Sequence, residues 1–534
     1  MKVLLVQPPI EDFYDTSIRT YPLSLLYLGT KIKDICDVSI VDSRSNKKRM
    51  LKTDLFPELR EFYRSDTHTP FSLFRSYYRF GMNNNEIRQT VEEHRPDVVG
   101  ISSLFTTYAE EALGVARIAK EIDNEIITVM GGTHPTLFPE YCLNSPYVDY
   151  VIRGEGETPL FELVSALKAS GRNNTAAIPG VSFKNNAGMR ILPISIEDNI
   201  DLIPDRGLIN AGDYRIEKKQ YTFFLTSRGC PFNCAFCGKP PVPYRKRTLA
   251  AVEKEIGRCV ELGIGAVDFE DDMLNLDLTF FNNLLESFKG TGIVLSAMNG
   301  LYAGNLGSET LESMYDAGFR RLNLSLVDVS EDIHRQQKRT FPAHLRDLLT
   351  YLESSPFLVE AHFIIGLPGQ KPDDIIDTMI FLMGKRLLPG PSIYYLAPNS
   401  PLFNATIGGN WQEYIKVMRS SALFPSNTLF QRETTFTFMK LARFINFIKN
   451  ILDQNPAIER MSEIVDIQDA AKRPHDVHIL KTLIFDKRFV WYDATKQDYT
   501  DEPQDRDLTA YFFKRIQGKP IRGFKTSHTL TVDV

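Results

Sequence analysis

Strand-like apolar runs alternate with helical stretches six times between Tyr221 and about Phe403, and this alternation restricts the fold more than any other feature. The runs are TFFLTS, AVDFED, IVLSAMN, RRLNLSLV, VEAHFIIG and SIYYLAP. Strands that alternate with helices favour a parallel sheet with right-handed crossovers. Six such units predict an incomplete parallel barrel, whose functional groups are expected at the carboxyl ends of the strands.

A second alternating pattern covers residues 1 to about 170. It predicts strands over residues 3–7, 37–42, 97–102, 125–130 and 148–152, with helices over 22–33 and 109–122. This order predicts a doubly wound, Rossmann-like α/β domain that binds its ligand at the carboxyl edge of the sheet. An insertion at about residues 44–85 is rich in Phe and Tyr, and we expect these aromatic side chains to pack on the sheet.

The rest of the chain divides by composition. Residues 171–215 are rich in turn formers and predict a linker with one hairpin strand at 180–184. Residues 404–534 predict a mainly helical region, whose apolar stripe at 441–452 belongs to the core or to a cap over the barrel. We therefore predict a first domain at 1–170, the linker at 171–215, the barrel at 216–403 and a helical region at 404–534.

Bulk composition excludes several classes of protein. The net charge of -5 and the pI of about 6.1 give no overall basic field, so no nucleic-acid partner is expected. No apolar stretch approaches the roughly 20 residues that span a bilayer, and the first residues are too short an apolar run for a signal peptide. We expect a cytoplasmic protein without a transmembrane segment.

The cysteines are unevenly distributed. Cys230, Cys234 and Cys237 form a Cys-x3-Cys-x2-Cys cluster directly after the first barrel strand, whereas the other three are scattered. Three thiolates can hold three irons of an iron–sulfur cluster and leave the fourth iron open for a substrate group. The alternative is a zinc site, but zinc ribbons usually pair two Cys-x2-Cys knuckles, and the sequence contains no second one.

At the segment TSRGCPFNCAFCG, residues 216–403 resemble the radical S-adenosylmethionine (radical SAM) superfamily. The resemblance implies a 4Fe–4S cluster on Cys230, Cys234 and Cys237, with S-adenosyl-L-methionine (SAM) bound to the fourth iron. One-electron reduction of SAM then yields a 5'-deoxyadenosyl radical. An electron donor such as flavodoxin or ferredoxin and anaerobic conditions are expected with this chemistry.

The same resemblance implies a set of SAM contacts at successive strand ends. A carboxylate suits the SAM ammonium, and glycine permits close backbone approach. For the polar residues, capping a strand end or filling the core is the alternative role. The resemblance breaks at Val327 and Asp328, where many relatives have a Glu-Ser pair. The implied contacts are Phe236, Glu270, Asp271, Asp272, Asn299, Ser325, Gly366, Leu367 and Pro368.

The first domain resembles the cobalamin-binding domain that precedes the barrel in one branch of the superfamily. The matching segments are QPP, YPLSLLYLG, GGTHPTLFPE and VDYVIRGEGETPLFEL. The signature Asp-x-His-x-x-Gly is absent, so no histidine is expected beneath cobalt. For His134 the alternative role is to cap a turn. The cobalamin contacts that the resemblance implies are Ser102, Ser103, Gly131, Gly132 and His134.

Together these features predict a cobalamin-dependent radical SAM methyltransferase that methylates an unactivated carbon through methylcobalamin. One alternative is a radical oxidation, cyclisation or rearrangement without methyl transfer. Another is a corrinoid-binding protein whose barrel is only structural, against which the intact cysteine triplet argues. A small molecule, lipid or peptide is expected as the substrate, and no catalytic side chain is predicted.

Overall fold

The computed structural model describes residues 1–14, 20–44, 47–52, 55–171, 178–239, 242–407, 410–470 and 473–534. Strands and helices alternate in its first region, as the sequence predicts. In chain order the elements are β1 (Lys2–Gln7), β2 (Ile10–Asp12), α1 (Leu23–Ile32), β3 (Asp37–Asp42), β4 (Lys48–Leu51), β5 (Thr67–His68), β6 (Tyr77–Phe80), α2 (Asn84–His94), β7 (Val98–Ser102), α3 (Ala109–Ile122), β8 (Ile127–Gly131), α4 (Thr133–Leu137), α5 (Pro139–Asn144), β9 (Tyr150–Ile152), α6 (Glu157–Ser170), β10 (Val181–Asn185) and β11 (Gly188–Arg190).

A seven-stranded sheet in the order β11-β10-β9-β8-β7-β1-β3 forms the first domain. The pairs from β9 to β3 are parallel, with Val3 of β1 opposite Val38 on one side and Val98 on the other. Val3, Leu4, Leu5 and Val6 are each at most 2% exposed, because helices cover both faces of a central parallel strand. The predicted doubly wound fold is confirmed.

The last two strands of this sheet come from the predicted linker. β10 pairs antiparallel with β9, and β11 pairs antiparallel with β10. The predicted hairpin therefore adds to the edge of the first sheet, and residues 181–190 belong structurally with the first domain. Residues 172–177 of the linker lie outside the described residues.

The aromatic insertion packs elsewhere than expected. The ring centres of Phe62 and Phe436 are 5.2 Å apart, and those of Phe71 and Phe444 are 5.9 Å apart. Phe436 and Phe444 both belong to the C-terminal region. The expectation that these aromatic side chains cover the sheet is therefore wrong. Helices already occupy both faces of the sheet, so the insertion buries its rings against the remote end of the chain instead.

The second region contains the barrel. Its elements are β12 (Arg215–Ile216), β13 (Lys219–Phe224), β14 (Ser227–Arg228), β15 (Arg245–Lys246), α7 (Leu249–Glu261), β16 (Ala266–Phe269), α8 (Leu278–Phe288), β17 (Val294–Ser296), α9 (Ser308–Ala317), β18 (Arg321–Val327), α10 (Glu331–Gln336), α11 (Leu345–Ser354), β19 (Leu358–Ile365), α12 (Pro372–Met383) and β20 (Leu388–Ile393). β13, β16 and β17 pair in parallel, as do β18, β19 and β20. Parallel bridges between Leu295 and Phe319 and between Leu301 and Leu324 join the two sets. The predicted incomplete barrel is confirmed.

One barrel strand is displaced from its predicted place. The sequence indicated SIYYLAP as the sixth strand, but β20 covers LPGPSI, which begins four residues earlier. Two prolines and a glycine give this segment a low strand propensity, so the sequence does not predict it as a strand. The structure tolerates them because, among the described strands, β20 pairs only with β19 and so lies at the edge of its sheet.

The C-terminal region combines helices with short strands. Its elements are α13 (Pro401–Ile407), α14 (Arg432–Gln454), α15 (Glu463–Ala470), α16 (Pro474–Asp486), β21 (Val490–Asp493), β22 (Asp498–Asp501), α17 (Arg506–Ile516), β23 (Pro520–Arg522) and β24 (Thr529–Thr531). The apolar stripe of α14 is buried in one continuous core with the barrel strands and helices. Within the described part of the chain, no helix has both the length and the apolar character needed to span a bilayer.

Candidate functional site

The cysteine loop begins where the first barrel strand ends. β13 and β14 lead into Gly229, which turns the chain with a φ of +77°. A Cβ at this position would lie 2.6 Å from the carbonyl oxygen of Pro243, so only glycine fits the turn. The turn brings the three cysteines of the motif into one loop at the carboxyl end of the strand.

Hydrogen bonds to backbone groups hold this loop in place. The ammonium of Lys239 donates to the carbonyl oxygens of Cys230 and Phe232. The backbone N–H of Ala235 donates to the carbonyl oxygen of Gln337 at 2.9 Å. The loop is therefore fixed both internally and to the barrel, which preorganises the thiols.

The three thiols lie within electrostatic range of one another. Cys234 is buried, Cys230 is half-buried and Cys237 is exposed. Desolvation, together with the negative charges of Cys234, Asp272 and Cys230, raises the pKa of Cys237 to about 11. Among the described residues, no three His, Cys, Asp or Glu side chains are arranged as the ligands of one metal ion. Three thiols on one loop are the soft donor set that holds an iron–sulfur cluster, so the chemistry of these residues fits such a cluster.

The three acidic residues after the second barrel strand differ in environment. Glu270 and Asp272 line the large cavity described below. Asp271 is fully buried and accepts hydrogen bonds from Thr226 Oγ1 at 2.7 Å and from Ser227 Oγ at 2.5 Å. Contrary to the expectation from the sequence, Asp271 faces away from the cavity and fixes the backbone that leads into the cysteine loop.

A guanidinium that the sequence analysis did not single out stands beside the cysteine loop. Arg339 Nη1 is 3.9 Å from Cys234 Sγ, and its Nη2 donates to Ser325 O at 3.0 Å and Ser325 Oγ at 3.1 Å. Ser325 therefore positions Arg339. Asn299 is exposed in the turn after β17, and its Nδ2 lies 3.3 Å from Glu270 Oε2. The sequence gives no signal for Arg339, because about a hundred residues with several helices and strands separate it from the cysteine motif.

Side chains hold the glycine-containing element after β19. Gly366 has a φ of +90°, and a Cβ there would meet only Phe430 at 3.9 Å. Gln370 Oε1 accepts hydrogen bonds from the backbone N–H groups of Gly366 at 2.9 Å and Leu367 at 3.2 Å. The carbonyl oxygen of Pro368 accepts from Gln337 Nε2 at 3.3 Å. Hydrogen bonds from protein side chains thus hold much of this backbone. The space on the side of Gly366 where a Cβ would lie remains open.

The break in the resemblance has a structural counterpart. Val327 has a φ of +72°, a left-handed conformation that is unusual for a β-branched residue, at a bulge in β18. Asp328 is buried and accepts a hydrogen bond from Gln370 Nε2 at 2.8 Å. Burial raises the pKa of Asp328 to about 6. Asp328 therefore stabilises the glycine-containing element after β19 through Gln370. Phe236 packs in the same apolar cluster as Val327 and Leu367.

A cavity of about 860 Å³ lies between the carboxyl edge of the first sheet and the top of the barrel. Its walls include Ser102 and Gly131 from the sheet, and Glu270 and Asp272 from the barrel. Small-molecule and cofactor sites usually measure about 300–1,000 Å³, so this cavity has room for a large ligand. It connects the edge expected to bind cobalamin with the strand ends next to the cysteine loop.

The two glycines after β8 differ in their surroundings. A Cβ at Gly131 would meet only Ile152, at 3.9 Å, so this position is open toward the cavity. Gly132 has a φ of +119°, and a Cβ there would lie 2.6 Å from the carbonyl oxygen of Ser103. Ser103 is buried and is not among the residues that line the cavity, whereas Ser102 is. Gly131 gives room to a ligand, whereas Gly132 is needed for the turn itself.

His134 lies behind the cavity wall, contrary to the expectation of a cofactor contact. Its side chain is fully buried, with Nδ1 3.3 Å from Thr106 Oγ1 and the ring packed against Phe138 and Tyr141. Burial lowers the pKa of His134 to about 4. No histidine is among the described residues that line the cavity.

Ion pairs join the first domain to the strand that precedes the cysteines. Arg228 contacts Glu155 at 3.2 Å and Glu157 at 2.5 Å, and Arg245 contacts Glu155 at 2.7 Å. All four side chains are largely buried, which strengthens their electrostatic interaction. The segment GEGETP carries these two glutamates, so the sequence contained the motif, but its partners became apparent only in three dimensions.

A segment of the C-terminal region closes the far wall of the cavity. Arg419 is buried and donates to the carbonyl oxygen of Glu11 at 2.6 Å and to Thr107 Oγ1 at 2.9 Å. Tyr108 donates to Asp12 Oδ2 at 2.5 Å in the same network. All three regions of the chain therefore contribute walls to this cavity. The sequence predicted the C-terminal region only as part of the core or as a cap over the barrel.

Two family models match the chain in the order in which its domains occur. The model described as B12 binding domain matches residues 75–164. The model described as Radical SAM superfamily matches residues 224–382, which include the cysteine loop.

Curated relatives extend over most of the chain. An uncharacterized methyltransferase of Pyrococcus horikoshii is 28% identical over 78% of this chain and 87% of its own length. The cytidylyl-2-hydroxyethylphosphonate methyltransferase of Streptomyces wedmorensis is 26% identical over 69% of this chain and 73% of its own length. The anaerobic magnesium-protoporphyrin IX monomethyl ester cyclase of Cereibacter sphaeroides is 26% identical over 60% of this chain and 55% of its own length.

Two solved structures share the fold. The cobalamin-dependent S-adenosylmethionine radical enzyme OxsB has a TM-score of 0.59 at 15% identity, over 91% of this chain and 72% of OxsB. The radical S-adenosylmethionine methyltransferase TsrM of Kitasatospora setae has a TM-score of 0.57 at 18% identity, over 76% of this chain and 77% of TsrM. At these identities the likeness concerns the fold.

The barrel, its cysteine loop and the matched family model define a radical SAM enzyme. The chain belongs to the branch of the radical SAM superfamily in which a B12-binding domain precedes the barrel. The cofactors of this class are a 4Fe–4S cluster, SAM and cobalamin.

Proposed function

We propose that this protein is a cobalamin-dependent radical SAM methyltransferase that methylates an unactivated carbon. The observation that carries the proposal is the cavity of about 860 Å³, which reaches from Gly131 at the first sheet to Asp272 beside the cysteine loop. One continuous cavity thus adjoins both predicted cofactor sites. Such an arrangement suits a reaction in which a substrate carbon must meet a radical and a methyl donor in turn.

Residues of the barrel are proposed to hold the cluster and SAM. Cys230, Cys234 and Cys237 would ligate the cluster, and the carboxylates of Glu270 and Asp272 would face the SAM ammonium. Phe236, Asn299 and the open space above Gly366 would border the rest of SAM. Arg339, held by Ser325, adds a fixed positive charge beside Cys234.

Residues of the first domain are proposed to hold cobalamin. Ser102 and Gly131 line the cavity, and the missing Cβ of Gly131 leaves room for the cofactor. The face of cobalt toward this domain would have no protein imidazole, because His134 is buried behind the wall. We propose the division 1–170, 171–215, 216–403 and 404–534, with the hairpin 181–190 attached to the first sheet.

The chain itself supplies orientation and a dry site. When bound, the cofactors supply reductive cleavage of SAM and delivery of a methyl group. Arg419 and its partners form the wall of the cavity on the C-terminal side, which would limit the access of water from that direction. The ion pairs of Arg228 hold the two cofactor-binding edges against each other.

A radical reaction without methyl transfer is the second candidate. The similarity to the magnesium-protoporphyrin IX monomethyl ester cyclase favours it, because that protein's name describes a ring closure. The candidates differ in whether a methyl group of SAM enters the product.

We further propose a reducing, cytoplasmic setting with a flavodoxin or ferredoxin as the electron donor. All six cysteines are free thiols, which is typical of a reducing compartment. Anaerobic handling would protect a cluster bound beside the exposed Cys237.

The deciding experiment uses SAM with a deuterated methyl group. The reconstituted full-length protein is incubated anaerobically with cell extract and reductant, and products are examined by mass spectrometry. Methyl transfer predicts a product heavier by one labelled methyl group. A new product without label, formed together with 5'-deoxyadenosine, would support the second candidate instead. The variant Cys234→Ala is the control for label that enters by other routes.

A further inference from the structure

A second cavity of about 470 Å³ opens at the edge of the barrel next to β20. Strand residues Glu360, His362 and Ser392 line it, together with Arg443 and Asn446 of α14. The position follows from the incomplete barrel: β20 has no further described strand beside it, and α14 lies at that edge. The cavity is therefore a lateral opening into the barrel.

The strand geometry connects this cavity with the cysteine loop. Along β19, Val359, Ala361, Phe363 and Ile365 are buried against the surrounding helices, so Glu360 and His362 face the barrel interior. In β18, the residue opposite His362 is Ser325, which bonds Arg339 beside Cys234.

The exposure of these interior side chains indicates space for a ligand. Glu360 and His362 keep 37% and 35% of their side-chain surface accessible, although interior positions of a barrel are normally filled by packed side chains. Gly390 contributes to this space, because a Cβ there would lie 2.6 Å from His362 Nδ1.

Two polar atoms in the cavity wall have no hydrogen-bond partner within the described chain. Asn446 Nδ2 donates to the carbonyl oxygen of Pro389 at 2.8 Å, which leaves Asn446 Oδ1 buried and unpaired. His362 Nε2 is likewise buried and unpaired, with Glu360 Oε1 no closer than 3.9 Å. Buried polar atoms are normally satisfied, so a bound group or water belongs here.

We propose that this cavity binds the uncharged, hydroxyl-bearing end of the substrate. Asn446 Oδ1 and the Glu360 carboxylate accept hydrogen bonds, which hydroxyl groups donate, and a hydroxyl can pair with the unpaired ring nitrogen of His362 as donor or as acceptor. Glu360 and Arg443 bring opposite charges to the wall, so a ligand with a net charge would meet a like charge there. This inference rests on the proposed function, because it assigns the second cavity to the substrate of the same barrel.

The strand length adds a requirement on the substrate. His362 lies four residues before Gly366, which corresponds to about 13 Å at roughly 3.3 Å per residue. Chemistry at the strand ends therefore requires a substrate whose hydroxyl-bearing end lies on the order of 10 Å from the reacting carbon. A compact substrate would not reach both places.

The test uses meso-erythritol as an uncharged polyol probe, with butylammonium and butyrate as cationic and anionic probes that have the same four-carbon chain but no hydroxyl group. Saturation-transfer NMR on the reconstituted full-length protein measures contact with each probe at millimolar concentration. We expect erythritol to give the strongest signal. His362→Leu and Glu360→Gln should each reduce that signal several-fold, because each removes or alters a hydrogen-bonding group.

The matched control is Glu312→Gln, which changes an exposed carboxylate on the outer helix α9 and should leave the signal unchanged. Each variant is also tested for SAM cleavage and corrinoid retention, which report the proposed function separately from the polyol site. A signal that is absent in the intact protein, equal for the charged probes, or retained in both barrel variants would overturn the proposal.

Discussion

The two edges that face each other across the large cavity are built by opposite means. The edge of the first sheet offers Ser102 and the open position Gly131, and His134 is withdrawn behind the wall. The barrel end offers thiols on a loop fixed by Lys239 and Asp271, and carboxylates at the end of the next strand, β16. We propose that the first edge selects its ligand by shape and the second by donor chemistry. A shape-selective site has a weak sequence signature, whereas a donor site has a strong one.

The largest effect is expected at the donor site. Cys234→Ala should remove a cluster ligand, and SAM cleavage to 5'-deoxyadenosine should fall by at least about 100-fold, since the cofactor performs the chemistry. Iron and sulfide analysis and chromatography of the cleavage product measure this. Cys36→Ser is the control, because Cys36 only donates to the Ile32 carbonyl at 3.3 Å and a hydroxyl preserves that bond. Full SAM cleavage by the Cys234→Ala variant would show that the cysteine triplet does not hold the cluster.

Cobalamin uptake at the edge of the first sheet should depend on the volume of the side chain at position 131. Gly131→Trp should fill the cavity and weaken cobalamin uptake by about tenfold or more, or ~1.4 kcal/mol, while iron content stays normal. Gly114→Ala is the control, because a Cβ there meets nothing within 4 Å. Retention of hydroxocobalamin through gel filtration is the measurement. Unchanged uptake by the tryptophan variant would show that cobalamin does not lie against this edge.

The ion pairs of Arg228, which connect the two edges, should contribute to the free energy of unfolding. Arg228→Ala leaves Glu155 and Glu157 without this partner in a largely buried setting, and such a loss costs about 3–5 kcal/mol. Arg258→Ala is the matched control, because Arg258 and Glu261 are 64% and 62% exposed and such a pair contributes about 0–1 kcal/mol. Urea unfolding compares the variants. Equal losses in both would mean that the ion pairs of Arg228 do not join the domains.

The withdrawn histidine should have an effect only at acid pH. Burial lowers the pKa of His134 to about 4, below its usual 6.5, so the unfolded chain binds a proton that the folded chain excludes. His134 therefore costs no stability above pH 6.5, and the folded state loses about 2 kcal/mol as the pH falls from 7 to 5. His134→Phe should reduce this loss, whereas His94→Gln on α2 should not. An unchanged acid sensitivity in the phenylalanine variant would contradict the buried, neutral state of His134.

Sequence reasoning reached the fold because hydrophobic periodicity records which faces are buried. It placed the central strands of the first sheet and five of the six barrel strands at their observed positions or within a few residues. It missed β20, because an edge strand tolerates Pro389 and Pro391 that a central strand would not. The aromatic insertion was misplaced, since its partner Phe436 lies far away in the sequence.

The candidate site was predictable only where a motif determines chemistry. The three cysteines were predicted from their spacing and the strand-end carboxylates from the family resemblance, but Asp271 could not be told from Asp272 without knowing which side chain faces the cavity. Gly131 and Gly132 were likewise equivalent in sequence, although only Gly132 has a positive φ. Arg339 and Arg419 could not be found, because their contacts join segments separated by long stretches of chain.

The most direct test of a single cavity shared by both cofactors is electron paramagnetic resonance of the full-length protein. The protein is loaded with cob(II)alamin and a one-electron-reduced cluster, and SAM is omitted so that neither spin is consumed. If cobalamin and the cluster adjoin the same cavity, each spin should broaden or relax the signal of the other. Two unperturbed signals at full occupancy of both centres would contradict this account.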